Sequence, residues 1–373
     1  MVFEICRCPK FLFLSSLFER FSEHSLYFVY NGTCGATAEN KHLCLGILMG
    51  ALIGTYPSVA CTFTYMYAAD AYMLSMLLAT IAVYCMVSGD WRKGALGSMA
   101  LGFSMGIYQA YLSFALVLLC LWMLRLALLK IKTTLKTVVS ILGYLALGGA
   151  VYVAGLLIRL QGRELSSYQG IAESTLLHAP IWYAEKICDS YKKTYLTILR
   201  DDIFDNSFIQ GCVFVLCIVC LCMIVYRSAG LFMQREWGLM LRLWSGLLLI
   251  PIAAFGMSFL SEGVVYHKLM MQSLALIWAI PILLLDSETA NKAVHVLAEL
   301  AAIGIVLNVG SYVIGDNIIY FSNKVSYEKT YALSVRLVAR MEEIENYETA
   351  EYVYIAGSMN YMDADLAGKT RYM

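Results

Sequence analysis

The sequence predicts an all-α polytopic membrane protein of about nine spans, with a small α/β appendage at the carboxy-terminal end. Three observations carry this prediction. Hydrophobic residues make up 60% of the chain and charged residues only 14%, against about 25% charged in a soluble domain. That polar content is too small to cover a water-soluble globule of 373 residues. The apolar residues are also gathered into runs near the length of about 20 residues that a span needs. Finally, the chain holds 26 Tyr and 6 Trp, types that concentrate where lipid meets water.

Taken in order, residues 1–42 are mixed in character and form an atypical amino-terminal segment with no assigned element. They do not read as a signal peptide, because Glu4, Arg7 and Lys10 interrupt the run and no small-residue cleavage site follows. Residues 43–320 form the transmembrane domain. Its cleanest spans are 70–88, 139–160, 207–226, 243–260 and 269–285, with 43–60 and 299–320 less clean. The run 94–128 is too long for one straight helix: about 35 residues at 1.5 Å each overshoot a core of about 30 Å. It reads as two helices, the first short, broken near Gly106-Ile107-Tyr108-Gln109.

Lys and Arg in short connections set the orientation. Arg125, Lys130, Lys132 and Lys136 make one connection cytoplasmic. Arg227, Arg235 and Arg242 do the same for 227–242, and Trp91-Arg92-Lys93 gives a third basic turn of matching parity. The connections 61–69, 161–206 and 261–268 then face outward, with the break near Gly106 and the tail 321–373. The large outer loop agrees: Glu164, Glu173, Glu185, Asp189, Asp201, Asp202 and Asp205 oppose five basic residues. Within it, Ile171, Leu176, Leu177, Ile181, Trp182 and Ile187 are mixed with charges, a pattern of amphipathic helices on the membrane surface. The tail has a helical pattern at Leu333, Leu337, Val338, Met341 and Ile344, followed by strand-like Tyr352-Val353-Tyr354-Ile355 and Gly357.

Some function classes drop out. The net charge is zero, so nothing points to nucleic acid. Seven of the 12 Cys (Cys61, Cys85, Cys120, Cys212, Cys217, Cys220 and Cys222) lie in apolar runs, where they act as small hydrophobes. The 5 His are scattered without ligand spacing, so no metal site is evident and the cofactor stays unknown.

The richest stretch is Tyr56-Pro57-Ser58-Val59-Ala60-Cys61-Thr62-Phe63-Thr64-Tyr65-Met66-Tyr67-Ala68-Ala69-Asp70, at the outer mouth on the charge pattern. Asp70 opens a span. A carboxylate there is favoured by the helix dipole and can cap the helix; it can equally face an outward cavity and activate a hydroxyl. Tyr108 and Gln109 sit at the same level. A phenol beside an amide suits sugar hydroxyls, or satisfies a broken helix end. Glu262, His267 and Lys268 share the short outer loop, where a cation holds a phosphate or anchors the interface. Arg159 carries the same two readings, and Tyr168-Gln169-Gly170 reads as sugar contact or as a turn.

At Tyr56–Asp70 and at Gly106-Ile107-Tyr108-Gln109-Ala110-Tyr111 the chain resembles the bacterial GtrII-like glucosyltransferases, multispanning O-antigen-modifying enzymes of the GT-C type. The likeness continues through Ser167-Tyr168-Gln169-Gly170-Ile171 to Glu351-Tyr352-Val353-Tyr354-Ile355-Ala356-Gly357, over about residues 43–360. It implies a bacterial plasma-membrane enzyme that moves a sugar, glucose, from a polyprenyl-phosphate donor to a surface polysaccharide. Its partners are membrane lipid, the lipid-linked donor and the polysaccharide acceptor, on the side assigned to Asp70, Tyr65 and Tyr108. Such enzymes carry an acidic residue in a first outer loop, which residues 1–42 do not supply, so the amino-terminal part reads as shortened or replaced. Asp70 is then the expected catalytic base in a single displacement, with Arg or Lys stabilising the phosphate leaving group. Two alternatives stand beside this: a lipid-linked sugar transporter or flippase, and an inactive truncated family member. The first expects charges at mid-membrane in paired halves; the spans 70–88 and 207–226 have none inside, and no internal repeat is visible.

Overall fold

The structure, a computed structural model, describes residues 46–65, 67–161, 179–199, 207–260, 264, 266–286, 292–344 and 347. These are mostly helical, and no strand occurs among them. A broken helix comes first. Helices α1 (Gly46–Gly54) and α2 (Pro57–Thr62), continued by a tight turn at Phe63–Tyr65, meet at 42°. Pro57 causes the break: its ring suits the first position of a helix, but it has no N–H to offer the carbonyl four residues back. That carbonyl belongs to Ile53, and the buried side chain of Gln272 supplies the missing donor, Nε2 to Ile53 O at 3.2 Å.

Seven long helices follow: α3 (Ala69–Val87), α4 (Trp91–Ile107), α5 (Tyr111–Leu128), α6 (Leu135–Leu160), α7 (Pro180–Leu199), α8 (Ser207–Met233) and α9 (Trp237–Ala254). The segment after them is interrupted, with short turns around α10 (Gln272–Ala275) leading into α11 (Ala279–Asp286). The last helix, α12 (Lys292–Glu342), has 51 residues. At 1.5 Å per residue it is about 76 Å long, more than twice a hydrocarbon core. The helical pattern expected in the tail is therefore the continuation of the last span rather than a separate element. The strand-like residues 352–355 lie outside the described residues.

Seven helices among the described residues are long and apolar enough to cross a membrane, or eight if the bent pair counts as one span. At this length the expected nine is not confirmed, and α4 is one residue too short to be counted. The helix α4, with 17 residues, is the short first half of the run 94–128, and the break falls at 108–110, where length required it. Arg227, expected in a connection, lies inside α8.

Helix α4 packs between α3 and α6. A side chain at Gly97 would stand 2.7 Å from the Ala82 carbonyl oxygen, and one at Gly102 2.5 Å from Val151, so these small residues permit the close approach. Hydrogen bonds then hold it. Ser75 Oγ donates to Ser104 O at 2.8 Å, Ser104 Oγ to Ser75 O at 2.7 Å, and Ser98 Oγ to Tyr144 O at 2.9 Å. Elsewhere α5 packs along α9 and α8 along α12, with Phe114, Leu124, Leu243 and Phe255 almost fully buried.

Two connections meet at one end of the bundle. Helices α5 and α8 both end in the same cap, with Lys130 and Arg235 left-handed and backbone bonds from Ile131 to Leu126 and from Glu236 to Leu231, the pattern that satisfies last-turn carbonyls. Lys132 pairs with Glu236 at 2.8 Å, Lys130 Nζ donates to Gln234 at 2.9 Å, and Arg242 donates to the Thr133 carbonyl at 2.6 Å. The basic connections are thus one docked surface, the basic end.

Helix α7 fulfils the amphipathic pattern expected in the loop 161–206, while Ile171, Leu176 and Leu177 lie outside the described residues. Ser190 and Thr194 are buried, and Tyr191 donates to the Leu248 carbonyl of α9 at 2.6 Å. Lys193 lies over the rings of Phe255 and Tyr266 at 5.9 and 5.6 Å.

Gln272→Leu keeps the size but leaves the Ile53 carbonyl without a donor. The full chain in detergent should lose about 1–3 kcal/mol of unfolding free energy, measured by denaturant titration; an unchanged midpoint would reject this account of the Pro57 break.

Candidate functional site

Opposite the basic end the helix breaks collect, and with them the aromatic side chains. Tyr108 ends α4 in an extended conformation and donates its N–H to Ser104 O at 2.9 Å. Its ring meets Tyr72 of α3 at 4.6 Å and Tyr111 at 5.8 Å, and Tyr111 meets Phe114 at 6.2 Å. Tyr65 and Tyr67 pair at 6.3 Å and lie within electrostatic reach of Tyr72. A ridge of rings therefore joins the turn after α2 to the α4–α5 break. Gln109, half-buried, donates from Nε2 to the Tyr152 hydroxyl of α6. Its carbonyl oxygen and second amide hydrogen stay available.

Asp70 is the second residue of α3, and Ala68, which cannot cap, precedes the helix. Its carboxylate is exposed and has no hydrogen bond or ion pair among the described residues. The helix dipole favours it there. At about 100° per residue Asp70 shares a face with Leu74, Ile81 and Tyr84, all exposed. Tyr72, about 200° around, is the residue that turns to Tyr108. So Asp70 shares a level with Tyr65, Tyr108 and Gln109 but not their face of α3.

His267 is exposed and precedes the turn Lys268–Met271, in which Lys268 is half-buried. Ser58 of α2 fixes this turn by donating to Leu269 O at 3.0 Å. Beside it Tyr266 packs on Phe255 at 4.9 Å and accepts from Ser258 N at 3.0 Å. Burial pushes the Tyr266 hydroxyl well above the usual phenol range, partly offset by the Ser258 hydrogen bonds, so it is a neutral anchor. Arg159 is exposed in the last turn of α6, about 10 Å along the helix from Tyr152. Glu262 and Tyr168-Gln169-Gly170 lie outside the described residues. Among the described residues no three His, Cys, Asp or Glu side chains converge on a metal position.

One acidic residue escaped the sequence reading. Asp316 lies within α12 and is only 8% exposed. Tyr312, Asp316 and Tyr320, four residues apart, share a face. That face rests on α2, with Tyr56 against Tyr312 at 5.4 Å and Phe63 against Tyr320 at 6.4 Å; Asn323 Nδ2 donates to Thr64 at 3.1 Å. Asp316 thus faces the middle of α2, where Cys61 lies within electrostatic reach of both Asp316 and Lys268. Its Oδ1 is buried without a hydrogen-bond partner among the described residues, as is Nδ2 of Asn308. A carboxyl group buried within the apolar part of a span is costly. The signal was present: Asp316 is the one acidic residue in the run 299–320 apart from Glu299 at its start.

A family model described as Glucosyl transferase GtrII matches residues 24–285. The match takes in part of the stretch before residue 43 and ends ahead of α12. No match emerges among curated proteins or among solved structures.

The Gln109–Tyr152 bond ties the α4–α5 break to α6. In a double-mutant cycle with Gln109→Leu and Tyr152→Phe the two changes should couple by about 0.5–1.7 kcal/mol of unfolding free energy in detergent. Simple additivity would mean the bond contributes nothing.

Proposed function

The chain belongs to the GtrII glucosyl transferase family, and from that premise we propose that it transfers glucose from a polyprenyl-phosphate donor to a surface polysaccharide of the O-antigen type. The reaction takes place at the outer face of the bacterial plasma membrane. The observation that carries this reading is Asp70: an exposed carboxylate with no partner among the described residues, at the head of an apolar face, level with a ridge of tyrosines that lies around the other side of α3, at the end opposite the docked basic connections. The basic end is the cytoplasmic one, since short cytoplasmic connections carry the excess of Lys and Arg. That puts the aromatic end and the far half of α12 outside.

The chemistry is a single displacement. The acceptor hydroxyl attacks the anomeric carbon, the bond from that carbon to the phosphate oxygen breaks, and its electron pair leaves with the phosphate. Asp70 takes the acceptor's proton, a contribution of about 10²–10⁴-fold. The leaving group is already a phosphate, so no acid is required. Lys268 and His267, with Arg159 at the same end of the bundle, are the donors offered to that phosphate. Tyr65, Tyr108 and the remaining Gln109 valences contact sugar. The apolar face below Asp70, with Leu74 and Ile81, suits a donor that arrives sideways through the bilayer on an isoprenoid chain.

Asp70→Asn keeps shape and dipole contact but cannot take a proton at neutral pH. With labelled polyprenyl-phosphate glucose as donor, transfer should fall about 10²-fold or more while the protein stays inserted and folded. Wild-type rates in that variant, with only a small stability loss in Asp70→Ala, would reduce Asp70 to a helix-start residue.

A further inference from the structure

Asp316 takes no part in the displacement described above, and helix packing does not account for it. Lower on the same helix, Ala301 and Ile305 fill the equivalent stripe with apolar side chains. A carboxylate in their place carries a desolvation cost, and the described residues provide neither a hydrogen bond nor an ion pair to offset it. Asp316 sits in mid-helix, so it caps nothing. It lies about 10 Å along α12 from Asn323, which touches Thr64 at the aromatic end.

A carboxyl group keeps acceptor oxygens whatever its protonation, so a ligand that brings donors would satisfy the orphaned Oδ1 of Asp316. The flanking groups narrow the class. Tyr312 and Tyr320 stand about 6 Å below and above Asp316 on the same face, and Tyr56 and Phe63 stand opposite them on α2. A carboxylate between aromatic rings suits a molecule with hydroxyl donors on its rim and C–H groups on its faces, which describes a pyranose. A hard cation needs six or more oxygen ligands, and among the described residues no three His, Cys, Asp or Glu side chains gather here. Lys268, which like Asp316 lies within electrostatic reach of Cys61, offers a charge of the sign that a phosphate requires.

We propose that the seam between α2 and α12 is the subsite for the donor sugar, where Asp316 accepts hydrogen bonds from pyranose hydroxyls while Lys268 faces the phosphate. Asp316 is a substrate-binding residue in this assignment, distinct from the proton acceptor Asp70. The proposal rests on the glycosyltransferase reading but is tested apart from it.

Equilibrium binding to the full chain in nanodiscs is measured with two probes, polyprenyl-phosphate glucose and sugarless polyprenyl phosphate. In Asp316→Asn the glucose-bearing lipid should bind about tenfold or more weakly, and the sugarless lipid as well as in wild type. Equal weakening of both probes, or of neither, overturns the proposal. Should the variant not fold, the wild-type chain decides with monodeoxy-glucose donors. Loss of the hydroxyl that Asp316 receives should weaken binding by a similar factor; uniform affinity across the monodeoxy series overturns the proposal. Transfer by wild type without these binding differences leaves the glycosyltransferase reading standing and this one fallen. The binding differences without any transfer do the reverse.

Discussion

Hydrocarbon offers no hydrogen bonds, so every backbone group in a span must find its partner within the protein. The rest of this structure depends on how that constraint is met where helices break. Pro57 removes the donor for the Ile53 carbonyl, and Gln272 replaces it from a segment 219 residues away in sequence. The same segment receives the Ser58 hydroxyl at Leu269 and sends the Ser273 hydroxyl to Ala254 at 3.1 Å. Three interrupted stretches, the α1–α2 bend, the end of α9 and the turns before α11, thereby satisfy one another. Irregular backbone can persist at membrane depth only through such mutual support.

Length and charge made much of the architecture legible. A run of about 35 apolar residues had to break, and Tyr108 marks the place. Lys130, Lys132, Arg235 and Arg242 predicted two connections on one side, and in the fold they bond to each other's loops. The facing of individual residues was not legible, for a physical reason. On a soluble helix the buried side is apolar and the other polar. On α3 both sides are apolar: Met73, Met76 and Val83 are buried, while Leu74 and Ile81 are exposed. Hydrophobicity therefore could not show that Tyr72 turns to the bundle while Asp70, about 200° around, faces away from it. Asp316 was hidden differently. Its meaning depends on Tyr56 and Phe63, more than 250 positions earlier in the chain, and no local pattern conveys that pairing.

The two carboxylates divide by environment. Asp70 is exposed at the head of a helix, where the dipole favours its charge and where the proposed acceptor would have access to it. Asp316 lies between helices, where an unpaired charge has a high cost and a well-placed ligand gains correspondingly. Proton transfer needs exchange with water, while recognition of a specific hydroxyl gains from its exclusion. The exposed group therefore suits the chemical step and the buried group suits selection among sugars.

The interrupted segment links these roles mechanically. Lys268 belongs to a turn that Ser58 holds from α2 and that continues directly into Gln272, itself bonded to α1. The cation assigned to the phosphate and the helix that faces Asp316 are therefore parts of one body, fixed by hydrogen bonds with few competitors in a dry interior. A donor bound by sugar at Asp316 and by phosphate near Lys268 would have its anomeric carbon set between two points whose separation the fold itself maintains. Orientation of that kind lowers a displacement barrier, and in the proposed reaction it would add to the proton transfer assigned to Asp70.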